Sequence, residues 1–407
     1  MAPQPERLAR SIGLFHAVLY GLGITIGAGI YVLVGLAAGR AGAHAPLAFL
    51  VAALVMGFSA ASFAELGTRM PVAASEAAYV EEAFRRKRPA LAIGLLSIAT
   101  STVSAATIAV GASGYVGVFL PLPQPVLIIA IVLALGALAT RSTLQAVSVA
   151  GAMTLIEVGG LAVIIVAGLA TLDLGPPLAT MVPQAGDGRA WAGVASTALL
   201  AVFAFIGFEH LVNVSEEMKD QRRTLPRALF ITLGLTTVFY ALVVLIAVTA
   251  VPPAELAASP APLALVFERL TGWPLWLMSA VAVAATLNGV LVNMIIIARV
   301  LYGLADRGQL PAVLAKVDGT TRAPVLATLA GVGAILVLSL AVPLSGLADI
   351  ASTGTLLVFV VINIALIAIK RREALPPPDI FLCPAWVPYA GALASGALLG
   401  ADLWGRT

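Results

Sequence analysis

The sequence predicts an all-α integral membrane protein of about eleven transmembrane helices, with the first and sixth broken near mid-span. Three observations predict it. Of 407 residues 60% are hydrophobic and only 11% charged, at a mean hydropathy of +1.04, whereas a soluble domain carries about 25% charged residues. The apolar residues fall in successive runs of about 20 or more, long enough to cross roughly 30 Å of hydrocarbon. Glycines interrupt two of those runs, five spans apart.

Taken in order, the runs lie near 13–38, 46–69, 91–120, 125–140, 146–172, 192–216, 227–251, 274–303, 324–342, 347–369 and 384–402. The longest connections, 173–191 and 252–273, read as Pro-rich loops, so the whole chain is expected to be one transmembrane domain. Its two five-helix repeats would cover about 12–172 and 192–370, with an extra helix at about 384–402. With the amino terminus inside, 19 of the 23 basic residues fall in inner segments, leaving Arg40, Arg189, Arg269 and Arg406 outside. Such an asymmetry predicts a cytoplasmic amino terminus in a plasma or inner cell membrane.

The net charge of +3 follows from those inner loops and implies no nucleic-acid partner. The lone Cys383 rules out an intramolecular disulfide and a cysteine metal cluster, and reads as an inert packing residue. The first apolar run has full span length and no small-residue cleavage site, so it reads as an uncleaved anchor. With only His16, His44 and His210 and no HExxH motif, an enzyme is not expected. Neither a filter loop nor a ring of like charges marks a channel. No cofactor is implied.

The first span reads GLFHAVLYGLGITIGAGIYVLVG, with Gly21, Gly23, Gly27 and Gly29 about its middle; the sixth reads GVASTALLAVFAFIGFEHLVNVSEE, with a midpoint at Ile206, Gly207, Phe208 and Glu209. In lipid, a broken helix survives only where its free N–H and C=O groups face protein, ions or a ligand. Paired breaks of this kind form midplane sites in inverted-repeat transporters, with a half-helix N-terminus facing an anion and unwound carbonyls facing a cation. An α-amino acid supplies both charges on one carbon. The competing reading of each glycine is helix packing, and Gly23 with Gly27 fits a small-xxx-small contact.

Four segments carry a resemblance: ITIGAGIYVL, SFAELGTRMPVAASEAAYVEEAF, FAFIGFEHLVNVSEEMKDQRRTLPRAL and ARVLYGLADRGQLPAVLAKV, together with STGTLLVFVVINIALIAIKRR in the tenth span. On these the chain resembles an amino acid/polyamine/organocation superfamily permease. The resemblance implies a LeuT-like fold, a 5+5 inverted repeat whose transport core is spans one to ten. Members usually have twelve or more spans, and this chain is shorter at its carboxyl end. Carried over by position, the N–H groups of Ala28 and Gly29, beside Gly27, would hold a substrate carboxylate, and the carbonyls of Thr25, Phe203 and Ile206, next to Gly207, would take the ammonium. Spans three, six, eight and ten would shape the pocket. Phe203, Phe205 and Phe208 are candidate gates.

On the third span Ser97, Thr100, Ser101, Ser104 and Thr107 share one helical face, either as pocket lining or as a seam for close helix packing. Ser104 is the candidate lining residue. Two acids fall within spans, where a charge costs about 2.5–3.5 kcal/mol on insertion scales and so calls for a partner or a proton. Glu209 sits at the sixth-span break, where similar permeases often carry a proton-responsive acid. Glu157, mid-span in the fifth helix, has no basic residue in its own helix. Proton-coupled relatives often place a lysine there; a lone glutamate in hydrocarbon favours its neutral form and suits proton coupling. Sodium stays open, with Thr286 and Ser352 as compatible hydroxyls. Glu65, Arg69, Glu76, Glu81, Glu82 and Arg85 to Arg88 read as an amphipathic inner loop.

The expected function is import of an amino acid, coupled to protons, by alternating access: spans one, two, six and seven rock against three, four, eight and nine. A cationic amino acid or polyamine exchanger and a non-transporting amino acid receptor are the alternatives. Small-molecule amino acid or amine and the lipid bilayer are the expected partners.

Overall fold

The computed structural model describes residues 12–26, 29–71, 75–140, 146–306, 308, 310–318, 323–373 and 377–406. Among them the regular elements are helical, and the one β-bridge joins Ile12 to Met218. Seven stretches are long and apolar enough to cross a bilayer: Gly29–Arg69, Lys87–Gly117, Met153–Thr171, Gly188–Glu217, Gln221–Ala250, Leu275–Asp306 and Leu344–Arg372. Shorter apolar helices at Leu14–Ile26, Gln124–Ala139, Val325–Ala341 and Val387–Ala401 accompany them. The chain is a multi-pass membrane protein.

The first predicted span is two helices, α1 (Leu14–Ile26) and α2 (Gly29–Ala41). Gly42, at a φ of +55°, and a short 3-10 turn then reverse the chain into α3 (Ala45–Arg69). Next come α4 (Ser75–Phe84), α5 (Lys87–Gly117), α6 (Gln124–Ala139) and α7 (Ala146–Thr171). The short α8 (Gly175–Thr180) leads to α9 (Gly188–Phe205), whose start is capped by the Asp187 carboxylate accepting from the Ala190 N–H at 2.9 Å.

Beyond α9 the sixth span does not resume as an α-helix. It continues as a 3-10 segment, Phe208–Glu217, followed by α10 (Gln221–Ala250). The two connections read as loops also contain helices: α8 in the first, and α11 (Pro253–Ala258) and α12 (Pro262–Thr271) in the second. Proline at the first helical turn lacks an N–H that would be unpaired there anyway, so Pro253 and Pro262 start these helices rather than break them. Leu256, Leu263 and Val266 are fully buried, which makes the segment a packed cover over α2 and α5. The chain ends with α13 (Leu275–Asp306), α14 (Val325–Ala341), α15 (Leu344–Arg372) and α16 (Val387–Arg406).

Glycines set the close approaches. A Cβ on Gly23 would lie 2.0 Å from Thr154 Oγ1 and one on Gly111 2.4 Å from a Val32 methyl, so α1 meets α7, and α5 meets α2, with no room for a methyl group. Gly21 and Gly23 are therefore packing positions inside α1, not part of its break.

The two ends of the bundle are tied differently. At the end carrying Arg69 and Lys370 to Arg372, Glu65 of α3 is fully buried, not part of a loop. Its Oε1 accepts from Arg69 at 2.7 Å; its Oε2 accepts from Lys370 Nζ at 2.7 Å and from the Cys383 N–H at 2.9 Å. Arg69 also pairs with Glu373, and Lys370 donates to the Cys383 carbonyl at 2.7 Å. The buried Cys383 thus serves this network through its backbone. At the opposite end Arg40 of α2 grips Asp349 of α15 with two bonds of 2.8 and 2.9 Å, and reaches the Ser196 carbonyl of α9 at 3.4 Å.

Candidate functional site

The two helix breaks lie against each other. α1 ends at Ile26 and α2 starts at Gly29; Gly27 and Ala28, expected to bind substrate, lie outside the described residues. α9 ends at Phe205. Ile206 then turns to a ψ of 132° and Gly207 to a φ of +130°, a conformation that L side chains rarely adopt. A Cβ on Gly207 would sit 2.9 Å from the Ile24 carbonyl oxygen, and one on Gly29 2.5 Å from the Ala204 Cα. Each break thus needs glycine where it touches the other helix.

A tyrosine that the sequence reading missed joins them. Tyr240 of α10, fully buried, points its hydroxyl at the carbonyls of Thr25 (2.7 Å) and Ala204 (2.9 Å), near the ends of α1 and α9. One hydroxyl proton serves two carbonyls that the interrupted helices leave without a helical partner. The Thr25 carbonyl is therefore engaged by protein, while the buried Thr25 hydroxyl has no partner among the described residues. The Phe203 carbonyl accepts from the Ile206 N–H at 3.2 Å. Phe203 and Phe205 are buried; Phe205 packs edge-on against Tyr240 at 5.1 Å, within the core. Phe208 packs edge-on against Phe63 and Phe359.

The two half-helices that begin at the breaks differ in charge. Glu209 is buried, and its Oε2 accepts from the Gly207 N–H at 2.8 Å, so the 3-10 segment carries its own anion at its N-terminus. The N-terminus of α2, at Gly29, has no acidic residue in its first turn.

Beside the sixth-span break is a cavity of about 40 Å³, room for a few water molecules. Ser97, Thr100, Ser101 and Ser104 of α5 form one wall, and Thr355, Val358 and Phe359 of α15 another. Ile206, Glu209 and His210 come from the break, Glu76 from α4 and Asn293 from α13. The cavity therefore lies toward the end of the bundle that carries α4 and the Glu65 network. Ser104, Ile206 and Glu209 are brought together here; Phe203, Phe205 and Glu157 are not.

Glu157 is sealed away from the cavity, fully buried in α7. By strict hydrogen-bond geometry neither carboxyl oxygen has a partner among the described residues, while Asn288 of α13 is the polar side chain that interacts with the group. Its backbone carbonyl accepts from Tyr31 of α2 at 2.7 Å, and Tyr115 of α5 donates to the Tyr31 carbonyl at 2.6 Å. Among the described residues no group of three or more His, Cys, Asp or Glu side chains is arranged to hold a metal ion.

A family model described as amino acid permease matches residues 12–401. The chain belongs to the amino acid permease family. It is 30% identical to the branched-chain amino acid permease BcaP of Bacillus subtilis (strain 168), across 96% of this chain and 86% of that protein. It is 28% identical to the mitochondrial cationic amino acid transporter 3 of Arabidopsis thaliana, across 92% of this chain and 64% of that one. The methylthioribose transporter of Bacillus subtilis (strain 168) is 25% identical across 97% of this chain and 88% of its own. This permease is a transport protein, not an enzyme, and its relatives carry cargoes that share no single side-chain chemistry.

Proposed function

We propose that this permease imports an amino acid with protons by alternating access, and that the crossed breaks are its substrate site. The observation that carries the reading is the contact of Gly29 with Ala204 and of Gly207 with Ile24, which sets two interrupted helices back to back in a membrane-buried core. The break at α2 offers a helix N-terminus to a carboxylate, because the other N-terminus is already capped by Glu209. Ile206, at the mouth of the cavity, offers carbonyl density to the ammonium. Residues 12–172 and 192–370 act as two inverted five-helix repeats of one domain, with α16 outside them. The amino terminus is cytoplasmic in the cell membrane, which makes the cavity inward-facing.

A substrate pocket is ordinarily several hundred Å³, so a cavity of about 40 Å³ must widen when an amino acid enters. In this arrangement the Arg40–Asp349 pair is the outer closure, since it fastens α2 to α15 with two parallel bonds. Asp349→Asn is expected to loosen that closure. Cysteines placed around Arg40 should then react faster with an impermeant thiol reagent from outside, by several-fold, while unchanged labelling would mean the pair is not a gate.

Glu157 is the proton-linked group. A carboxyl fully buried between α7, α2 and α13 carries a charge there only when a cation, a proton donor or water reaches it. Movement of α2, tied to the Glu157 backbone through Tyr31, would grant that access. Glu157→Gln is expected to abolish the stimulation of uptake by an inward proton gradient while substrate exchange continues. Normal uptake with an unchanged pH profile in that variant would remove Glu157 from coupling; stimulation by sodium instead of protons would replace the coupling ion.

A further inference from the structure

The hydroxyls of α5, four of which line the cavity, divide into two groups. Thr100, Thr102 and Thr107 each return a hydrogen bond of 2.8 Å to the carbonyl four residues back, and Thr100 also packs where a Gly354 Cβ would come within 2.6 Å of its hydroxyl. These threonines are spent on their own helix. Ser97, Ser101 and Ser104, on the same stripe, make no hydrogen bond among the described residues, and all three line the cavity. Thr355 of α15 and Asn293 of α13 line the same cavity, the Asn293 amide nitrogen donating to the Gly289 carbonyl at 2.9 Å. Nine of the twelve lining residues carry a polar group, set among lining surface that is mostly apolar.

A wall of this kind discriminates in one direction. An aliphatic group pressed against it would strip water from three serine hydroxyls and return no hydrogen bond, so each would be left buried and unsatisfied. A pocket built to hydrogen-bond a hydroxyl rejects its methyl analogue far more strongly than an apolar pocket rejects the hydroxyl.

Resting on the proposal that this cavity adjoins the amino acid site, we infer that Ser97, Ser101 and Ser104, with Thr355 and Asn293, select substrates with a short hydrogen-bonding side chain, threonine and serine above all, and disfavour branched aliphatic ones. The serine stripe is thus a specificity element rather than a packing seam. This sets the chain apart from the branched-chain amino acid permease of Bacillus subtilis that it resembles.

Threonine and valine provide the test, since they share shape and differ by a hydroxyl in place of a methyl. In proteoliposomes holding the full-length protein, unlabelled threonine should compete with labelled serine uptake at least tenfold better than valine does. Ser101→Ala and Ser104→Ala should each bring the threonine-to-valine ratio down several-fold toward one. Equal or better competition by valine in the wild-type protein would overturn the inference and leave amino acid transport standing, and that comparison needs no variant. So would a ratio that survives both substitutions, which would make the stripe a lining of the exit path alone. Uptake of no amino acid at all would overturn both this inference and the transport reading beneath it.

Discussion

Gly29→Ala is expected to reduce the initial rate of amino acid uptake by about 100-fold or more, the scale on which a 1 Å misplacement acts in positioned sites. The added methyl carbon would lie 2.5 Å from the Ala204 Cα and 3.1 Å from its carbonyl oxygen. Those neighbours are backbone, so no side chain can swing aside; α2 must back away from α9. Overpacking of this kind costs about 1–3 kcal/mol, which a folded membrane protein survives, so the variant should still insert and purify. Its loss should fall on transport, because the displaced element is the half-helix proposed to hold the substrate carboxylate. Uptake at the wild-type rate in Gly29→Ala would show that the crossing of the breaks does not matter.

Glu65→Ala should bring the largest loss of stability from any single charge removal. The glutamate is fully buried and holds Arg69, Lys370 and the Cys383 N–H at once. Without it two cations remain near a buried site with Glu373 as the remaining acid, and breaking such a network by removing one partner costs about 3–5 kcal/mol. Glu65→Gln keeps the hydrogen-bonding shape and should fall between. Arg222→Ala is the control: its pair with Asp379 is 3.7 Å long and its side chain is half exposed, and such pairs contribute about 0–1 kcal/mol. Thermal unfolding of the purified proteins in one detergent orders them; an Arg222→Ala midpoint as low as that of Glu65→Ala would contradict the ranking.

The spans were legible because hydrocarbon thickness imposes a length on every crossing, and each predicted run has a helix within it. The sixth-span break was legible too, since IGFE places glycine beside an acid where a helix would otherwise continue; Glu209 uses that acid to cap the Gly207 N–H. The first-span glycines were less distinct. Gly23 and Gly29 look alike in sequence, yet one admits Thr154 and the other admits the backbone of α9. Both demand the absence of a Cβ, and only the partner tells them apart.

What the sequence hid are contacts between residues far apart in the chain. Tyr240 bonds to a carbonyl 215 positions away and Arg40 to an acid 309 away, and no local pattern joins either pair. Glu65, counted with the charged loop that follows, is drawn inside by Lys370 and the Cys383 backbone, again more than 300 residues on. The stretch 252–273 is Pro-rich and reads as a loop in sequence, whereas Pro253 and Pro262 stand at first-turn positions and start helices. On α5 the even spacing of hydroxyls was visible, but which of them bond back to their own helix was not.

Flux of labelled amino acid into proteoliposomes under an imposed inward proton gradient tests the central claim most directly. Saturable uptake that rises with the gradient, collapses with a proton ionophore and is lost in Gly29→Ala is the expected result. Saturable binding with no accumulation inside the vesicles, with or without the gradient, would contradict it and make the protein a receptor built on a transporter fold.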